Sequence, residues 1–181
     1  MKKPHNYFTF LICFFFLNFS AQNKEWNPKE IQEKYDSIVE QEHNDENFNS
    51  IKYLHTASQK IHYEKGILKT SLYLTNEYIS RNNYNQALDF NSSAEKLALK
   101  NNDNESLFAV HNNKSRIYAA QGLESECIKQ NFLSLKKAES ITNNDIRNYF
   151  ESVAYQNIAT NYSIYEKPQD SMIILHERKH C

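Results

Sequence analysis

The 181-residue sequence predicts an all-α fold, an α-solenoid of antiparallel helix pairs, from its composition and from an internal repeat. It contains only 2 glycines and 3 prolines, whereas Lys, Glu, Asn, Leu, Ile and Tyr are abundant. Hairpins and tight turns depend on Gly and Pro, so this composition favours helices joined by short polar loops. The same scarcity excludes the Gly-rich motifs of nucleotide-binding proteins and the G-x-S-x-G motif of serine hydrolases.

The repeat has a period of forty residues. The segment LYLTNEYISRNNYNQALDFNSSAEKLA recurs as HNNKSRIYAAQGLESECIKQNFLSLKKA, with Tyr78 aligned to Tyr118 and Ala87 aligned to Cys127. A weaker third copy, YQNIATNYSIYEKPQDSMIILHERK, follows at an offset of forty-four and places Tyr162 at the position of Tyr118. Self-similarity of this kind is typical of repeat architectures.

Each copy predicts two antiparallel helices. A tyrosine near the end of the first helix lies nine residues before a small residue near the start of the second helix. The polar turns between the helices are Arg81-Asn82-Asn83, Gln121-Gly122 and Glu166-Lys167. Another small residue, Thr75, Ser115 or Ala159, precedes each tyrosine by three positions and so lies on the same helix face. Small residues on facing helices allow a close approach.

Over residues 66 to 181 the chain resembles the tetratricopeptide repeat family. The residues that carry the likeness are Leu74, Thr75, Tyr78, Tyr84, Ala87 and Ala94 in the first unit and Ser115, Tyr118, Gly122 and Cys127 in the second. The units are longer than the family's period of about 34 residues, and the family's Trp, first-helix Gly and closing Pro are missing. The resemblance implies stacked helix pairs with a concave face for an extended peptide or a helix.

The sequence divides into three predicted segments. Residues 1–21 have the form of a secretory signal peptide, because Lys2 and Lys3 precede an apolar run that ends before Ala21. The run is too short to cross a hydrocarbon core of about 30 Å, so cleavage and export are expected, with a retained signal anchor as the alternative. Residues 22–65 predict a divergent or capping helical pair, and residues 66–181 the repeat array, whose last repeat we expect to be truncated.

The charge of the chain bears on its partners. The formal net charge is −1, and removal of Lys2 and Lys3 with the signal peptide takes away two positive charges and gives −3. A mildly acidic chain has no basic surface for direct contact with nucleic acid. Contact with a membrane is expected only through the signal segment or a missing downstream region.

An export signal, long degenerate repeats and an Asn/Lys/Tyr-rich composition together resemble the N-terminal sensor region of bacterial membrane-anchored regulators. In those proteins one membrane helix and a cytoplasmic helix-turn-helix domain follow the repeats. The resemblance implies a periplasmic or extracytoplasmic, non-enzymatic interaction module with a protein or peptide ligand and no cofactor.

The alternative function is that of a zinc metalloprotease-like protein. The letters HERKH place His176 and His180 four residues apart with Glu177 between them, as in the H-E-x-x-H zinc motif. A charged helix end explains the same letters, since Arg178 and Lys179 would bring cations beside a dication. We therefore expect no metal site, and zinc bound by His176 and His180 remains the alternative.

Other candidate residues are expected to have structural roles. Cys127 occupies a small-residue position, which predicts a buried, inert thiol, and pairing with Cys181 stays open. The histidines without ligand spacing are His43, His55, His62 and His111.

Asn91 and Asn131 are the candidates for a peptide-binding face. They recur in register on the second helices of two units, where their amides could bond to the backbone of a ligand. Contacts between helices or with solvent are the alternative role for both residues.

Overall fold

In the computed structural model, the described residues are 25–41 and 44–164, without the side chain of Ile164. They form seven helices: α1 (Pro28–Val39), α2 (Asp45–Lys60), α3 (Glu64–Ser80), α4 (Tyr84–Lys100), α5 (Asn104–Ala120), α6 (Glu124–Glu139) and α7 (Asn144–Ile164). No strand occurs in these ranges, so the predicted all-α class is confirmed. None of these seven helices is both long and apolar enough to cross a membrane.

The helices are arranged as a row of antiparallel pairs. Consecutive helices pack against each other throughout the described ranges. We call α1, α3, α5 and α7 the first helices, and α2, α4 and α6 the second helices. Neighbouring first helices, α1 with α3 and α3 with α5, also touch each other, whereas second helices make fewer such contacts. This arrangement confirms the predicted solenoid of helix pairs.

Four turns between helices share one geometry and recur every twenty residues. The residues with positive φ are His62 (55°), Asn82 (57°), Asn102 (51°) and Gly122 (71°). In each turn the next N–H donates to the carbonyl five residues earlier, as from Asn83 to Tyr78 at 2.8 Å and from Leu123 to Tyr118 at 2.9 Å. This is the Schellman motif, in which Asn can replace the usual Gly. The predicted turns at 81–83 and 121–122 are therefore confirmed.

Asparagine and aspartate side chains cap the N-termini of several helices. The side-chain oxygens of Asn27, Asn44, Asn83, Asp103 and Asn143 each accept a hydrogen bond from the N–H three residues later. Such caps satisfy an N–H group that has no partner within the helix. Capping and positive-φ turns together explain six asparagines: Asn27, Asn44, Asn82, Asn83, Asn102 and Asn143.

Small residues line the interior between the two helices of a pair, as predicted. Thr75 on α3 and Ala87 on α4 are both 0% exposed. In the next pair, Ser115 Oγ lies 3.4 Å from Cys127 Sγ. In the α3/α4 pair, Tyr78 is buried and stacks on Phe90 with ring centroids 5.4 Å apart.

The third unit differs from the second by one helical turn. Helix α7 contains 21 residues, compared with 17 in α5. It begins forty residues after α5, so the extra turn accounts for the offset of forty-four that the sequence shows around Tyr162. Ala159, the small residue predicted to share a face with Tyr162, is 4% exposed.

Candidate functional site

The structure places the two candidate asparagines in the interior. Asn91 and Asn131 are both 0% exposed. Asn91 Nδ2 donates to the carbonyl oxygen of Val110 on α5 at 3.1 Å, and Asn131 Nδ2 lies 4.0 Å from Cys127 Sγ. A peptide cannot reach either amide without separating the helices. This burial does not fit the ligand-binding face predicted for them. Asn91 contacts a neighbouring helix, the role that the sequence left as the alternative, whereas the contact of Asn131 lies within α6.

Cys127 is buried, as predicted, and has no disulfide partner within the described residues. It is 0% exposed and contacts Ser115 Oγ at 3.4 Å across the pair. No histidine is among the groups bonded to its sulfur in the described residues. The position lacks the solvent access that a reactive cysteine needs.

Two histidines are packed inside the array. His55 is 7% exposed, its Nδ1 lies 2.9 Å from Thr70 Oγ1, and its ring contacts the ring of Phe90 edge-on. Burial lowers the pKa of His55. His111 Nδ1 lies 2.9 Å from the side-chain amide of Gln130 on α6.

The pKa of His111 is also lowered, first by burial. Neither histidine has a partner set for a metal, and the described ranges contain no group of three His, Cys, Asp or Glu residues that could hold one. The signal segment 1–21, His43, the predicted turn at Glu166-Lys167, Cys181 and the HERKH residues His176, Glu177 and His180 lie outside the described residues.

The first helices are linked by polar contacts that run from one pair to the next. Between α1 and α3, Lys69 Nζ lies 3.6 Å from Asp36 Oδ1. Between α3 and α5, Arg116 Nη1 donates to Asn76 Oδ1 at 2.5 Å. Between α5 and α7, the amide of Asn157 donates to Asn112 Oδ1 at 2.7 Å. We call the surface that carries these three contacts the first-helix face.

Two tyrosines form the aromatic part of the first-helix face. The rings of Tyr35 and Tyr73 meet edge-on, with centroids 6.4 Å apart. The hydroxyl of Tyr35 donates to the carbonyl oxygen of Lys69 at 3.4 Å. Burial, with the nearby charge of Asp36, raises the pKa of Tyr35 to about 12. This tyrosine is therefore a neutral hydrogen-bond donor at physiological pH.

Of the three arginines in the described residues, Arg116 alone has no ion pair, since Arg81 and Arg147 are each paired with a carboxylate. Lys114 is paired with Glu95 at 2.8 Å and Arg81 with Asp45 at 2.7 Å. The guanidinium of Arg116 instead donates to two neutral amide oxygens, those of Asn76 and Asn113, and no carboxylate of the described residues lies within ion-pair distance. Partial burial lowers its pKa. A guanidinium has five N–H groups, so several remain for a ligand.

Sequence analysis did not single out the residues of this face. Asn76 and Arg116 lie forty residues apart and so occupy the same position in successive repeats, a signal that could have identified them. Asn112 and Asn157 lie forty-five residues apart, and the extra turn in α7 hides their relation.

Comparison with protein-family models, with curated proteins and with solved structures gives no match for this chain. The description of the fold as an array of helix pairs therefore rests only on the structure. The tetratricopeptide resemblance stays a prediction.

Proposed function

We propose that the chain is a non-enzymatic protein-interaction module whose first-helix face binds an extended peptide segment of a partner. The observation that supports this most is Arg116, a cation held in place by two amides and lacking a carboxylate among the described residues. A guanidinium held in a fixed orientation gains from a carboxylate because charge-assisted, bidentate hydrogen bonds are the strong ones.

The chemistry around Arg116 suits a peptide. Asn112 and Asn157 supply amide groups that can exchange their mutual bond for bonds to a peptide backbone. Tyr35 and Tyr73 supply rings for an apolar side chain. A segment that crosses all four first helices, from α1 to α7, would meet all three kinds of group, with an acidic residue at Arg116.

We further propose that the module is exported and forms the sensor part of a membrane-bound transcriptional regulator of the tetratricopeptide type. The tripartite pattern of residues 1–21 supports export, and the resemblance of the repeats supports the regulator. A fusion of residues 1–24 to alkaline phosphatase, which is active only outside the cytoplasm, should be active. Overproduction of the exported chain in its host should titrate the ligand and change the transcripts of a small set of genes.

The peptide-binding proposal is tested by selection and cross-linking. The purified chain is used to select binders from a displayed library of random peptides. A photo-reactive aromatic residue is then placed either at Tyr73, on the first-helix face, or at Phe132, exposed on the second helix α6. We expect the selected peptides to cross-link at position 73 and not at position 132.

Cross-linking at position 132 alone, or selected peptides without acidic residues, would contradict the proposal. Stoichiometric zinc in the purified chain, lost in a His176→Ala variant, would instead favour the metalloprotease alternative.

A further inference from the structure

A cleft of about 490 Å³ lies beside Trp26, between α1 and α2. Its volume falls within the range of small-molecule binding sites. Lys34 of α1 and Glu46 of α2 line it together with Tyr53 and Leu54. The cleft is distinct from the first-helix face, because most of its wall comes from the second helix α2.

The apolar side of the cleft is held in place by a hydrogen bond and a ring contact between Trp26 and Tyr53. Trp26 Nε1 donates to the hydroxyl oxygen of Tyr53 at 3.2 Å, and the two rings meet edge-on with centroids 5.9 Å apart. The indole N–H of Trp26 therefore has its hydrogen-bond acceptor in Tyr53. Leu54 is 1% exposed, whereas Tyr53 is 52% exposed and keeps its hydroxyl hydrogen for a ligand.

The polar side of the cleft carries one cation and one anion. Neither Lys34 nor Glu46 makes an ion pair or a side-chain hydrogen bond with any described residue, although they line the same cavity. Asn49 and Ser50, which also line the cleft, likewise have no side-chain hydrogen bond in the described part of the chain.

We propose that this cleft binds a zwitterionic small molecule with an apolar body, of the class of free amino acids with an aromatic or aliphatic side chain. A neutral apolar ligand would remove water from both Lys34 and Glu46 without replacing it. A ligand of one charge would leave the opposite group uncompensated, and an unpaired charge without water is costly. The carboxylate of a free amino acid binds Lys34, its ammonium binds Glu46, and its side chain packs on Trp26.

The test uses the single tryptophan of the chain as a reporter. Tryptophan fluorescence of the purified protein is titrated with L-phenylalanine, L-leucine and, as an uncharged control, N-acetyl-L-phenylalanine amide. We expect a saturable change with the two amino acids and none with the control. Lys34→Gln and Glu46→Gln should each weaken binding about tenfold or more, since each removes one charged hydrogen bond.

Lys60→Gln is the matched control, because Lys60 lies beside a smaller cleft of about 300 Å³ that also contacts Trp26. It should leave amino acid affinity unchanged, and Lys34→Gln should leave peptide binding at the first-helix face unchanged. The proposal is overturned if neither amino acid gives a saturable signal. It is equally overturned if the uncharged control binds as well, or if Lys34→Gln, folded by circular dichroism, binds like the parent.

Discussion

The interior of a helix pair and the first-helix face both contain many polar side chains but use them differently. In the interior, several hydroxyl side chains bond to the backbone of their own helix, as Thr75 Oγ1 does to the Ser71 carbonyl at 2.8 Å. On the first-helix face they bond across helices, as Asn76 does with Arg116. Polar groups satisfied within a helix allow close packing, whereas side-chain pairs between helices can exchange partners with a ligand. We therefore expect substitutions in the interior to change stability and substitutions on the first-helix face to change peptide affinity.

The largest effect should come from opening the interior. Leu74 is 0% exposed in the central core, whereas Leu99 is 56% exposed at the end of α4. We expect Leu74→Ala to lower the free energy of unfolding by about 2–5 kcal/mol because it removes buried contacts and leaves a cavity. Leu99→Ala should change it by less than about 0.5 kcal/mol. Urea unfolding followed by circular dichroism measures both, and equal effects would contradict the assignment of the core.

A smaller loss should follow from overfilling the interior at Gly66. A Cβ at this position would lie 2.5 Å from Ser58 Oγ and 2.5 Å from Tyr63 Cδ1. We expect Gly66→Ala to cost about 1–3 kcal/mol, since Ser58 is bonded to the Leu54 carbonyl and must shift. If Gly66→Ala is as stable as the parent in the same unfolding experiment, α2 and α3 are not in close contact there.

The interior should also make stability depend on pH. Burial lowers the pKa of His55 in the folded chain, so the unfolded chain takes up a proton more readily. Stability is therefore fully present above the unfolded value of about 6.5 and falls as the pH drops from there through the lowered pKa. His55→Gln should show a smaller loss between about pH 7 and pH 5.5 in urea unfolding. An unchanged pH profile in this variant would show that His55 is not the group responsible.

The smallest effects should come from the turns, which lie outside both regions. His62 and Gly122 occupy equivalent positive-φ positions, and a Cβ at Gly122 would meet nothing within 4 Å. We expect His62→Gly to stabilise the chain by about 0.5–1 kcal/mol and Gly122→Ala to destabilise it by about 1 kcal/mol. In thermal unfolding, the midpoint temperature should therefore rise for His62→Gly and fall for Gly122→Ala. If both variants shift the midpoint in the same direction, the two turns do not share one backbone conformation.

Much of the fold could be predicted from the sequence because the repeat shows which positions are small. The alignment of Thr75 with Ser115 and of Ala87 with Cys127 identified side chains that the structure buries. The twenty-residue spacing of the turns was missed because three of the four positive-φ residues are His or Asn instead of Gly. Asn82 and Asn102 have the backbone role for which Gly is the usual signal.

The candidate site was harder to predict because residue type does not show which way an asparagine faces. Asn91 lies four residues after Ala87 and three before Ala94, so it belongs to the buried stripe of α4, and this spacing could have corrected the prediction. The first-helix face instead arises from contacts between different repeats, such as that of Asn112 with Asn157. Such contacts depend on how pairs stack, which no single repeat contains.

The central claim is that the first-helix face binds a peptide while the interior holds the fold. Arg116→Ala tests it most directly, with Lys136→Ala, an exposed change on the second helix α6, as the control. The affinity for a selected acidic peptide and the free energy of unfolding are measured for both variants. We expect Arg116→Ala to weaken the peptide about tenfold or more and to change unfolding by less than about 0.5 kcal/mol, and Lys136→Ala to alter neither. Equal peptide affinity in the two variants would contradict the claim.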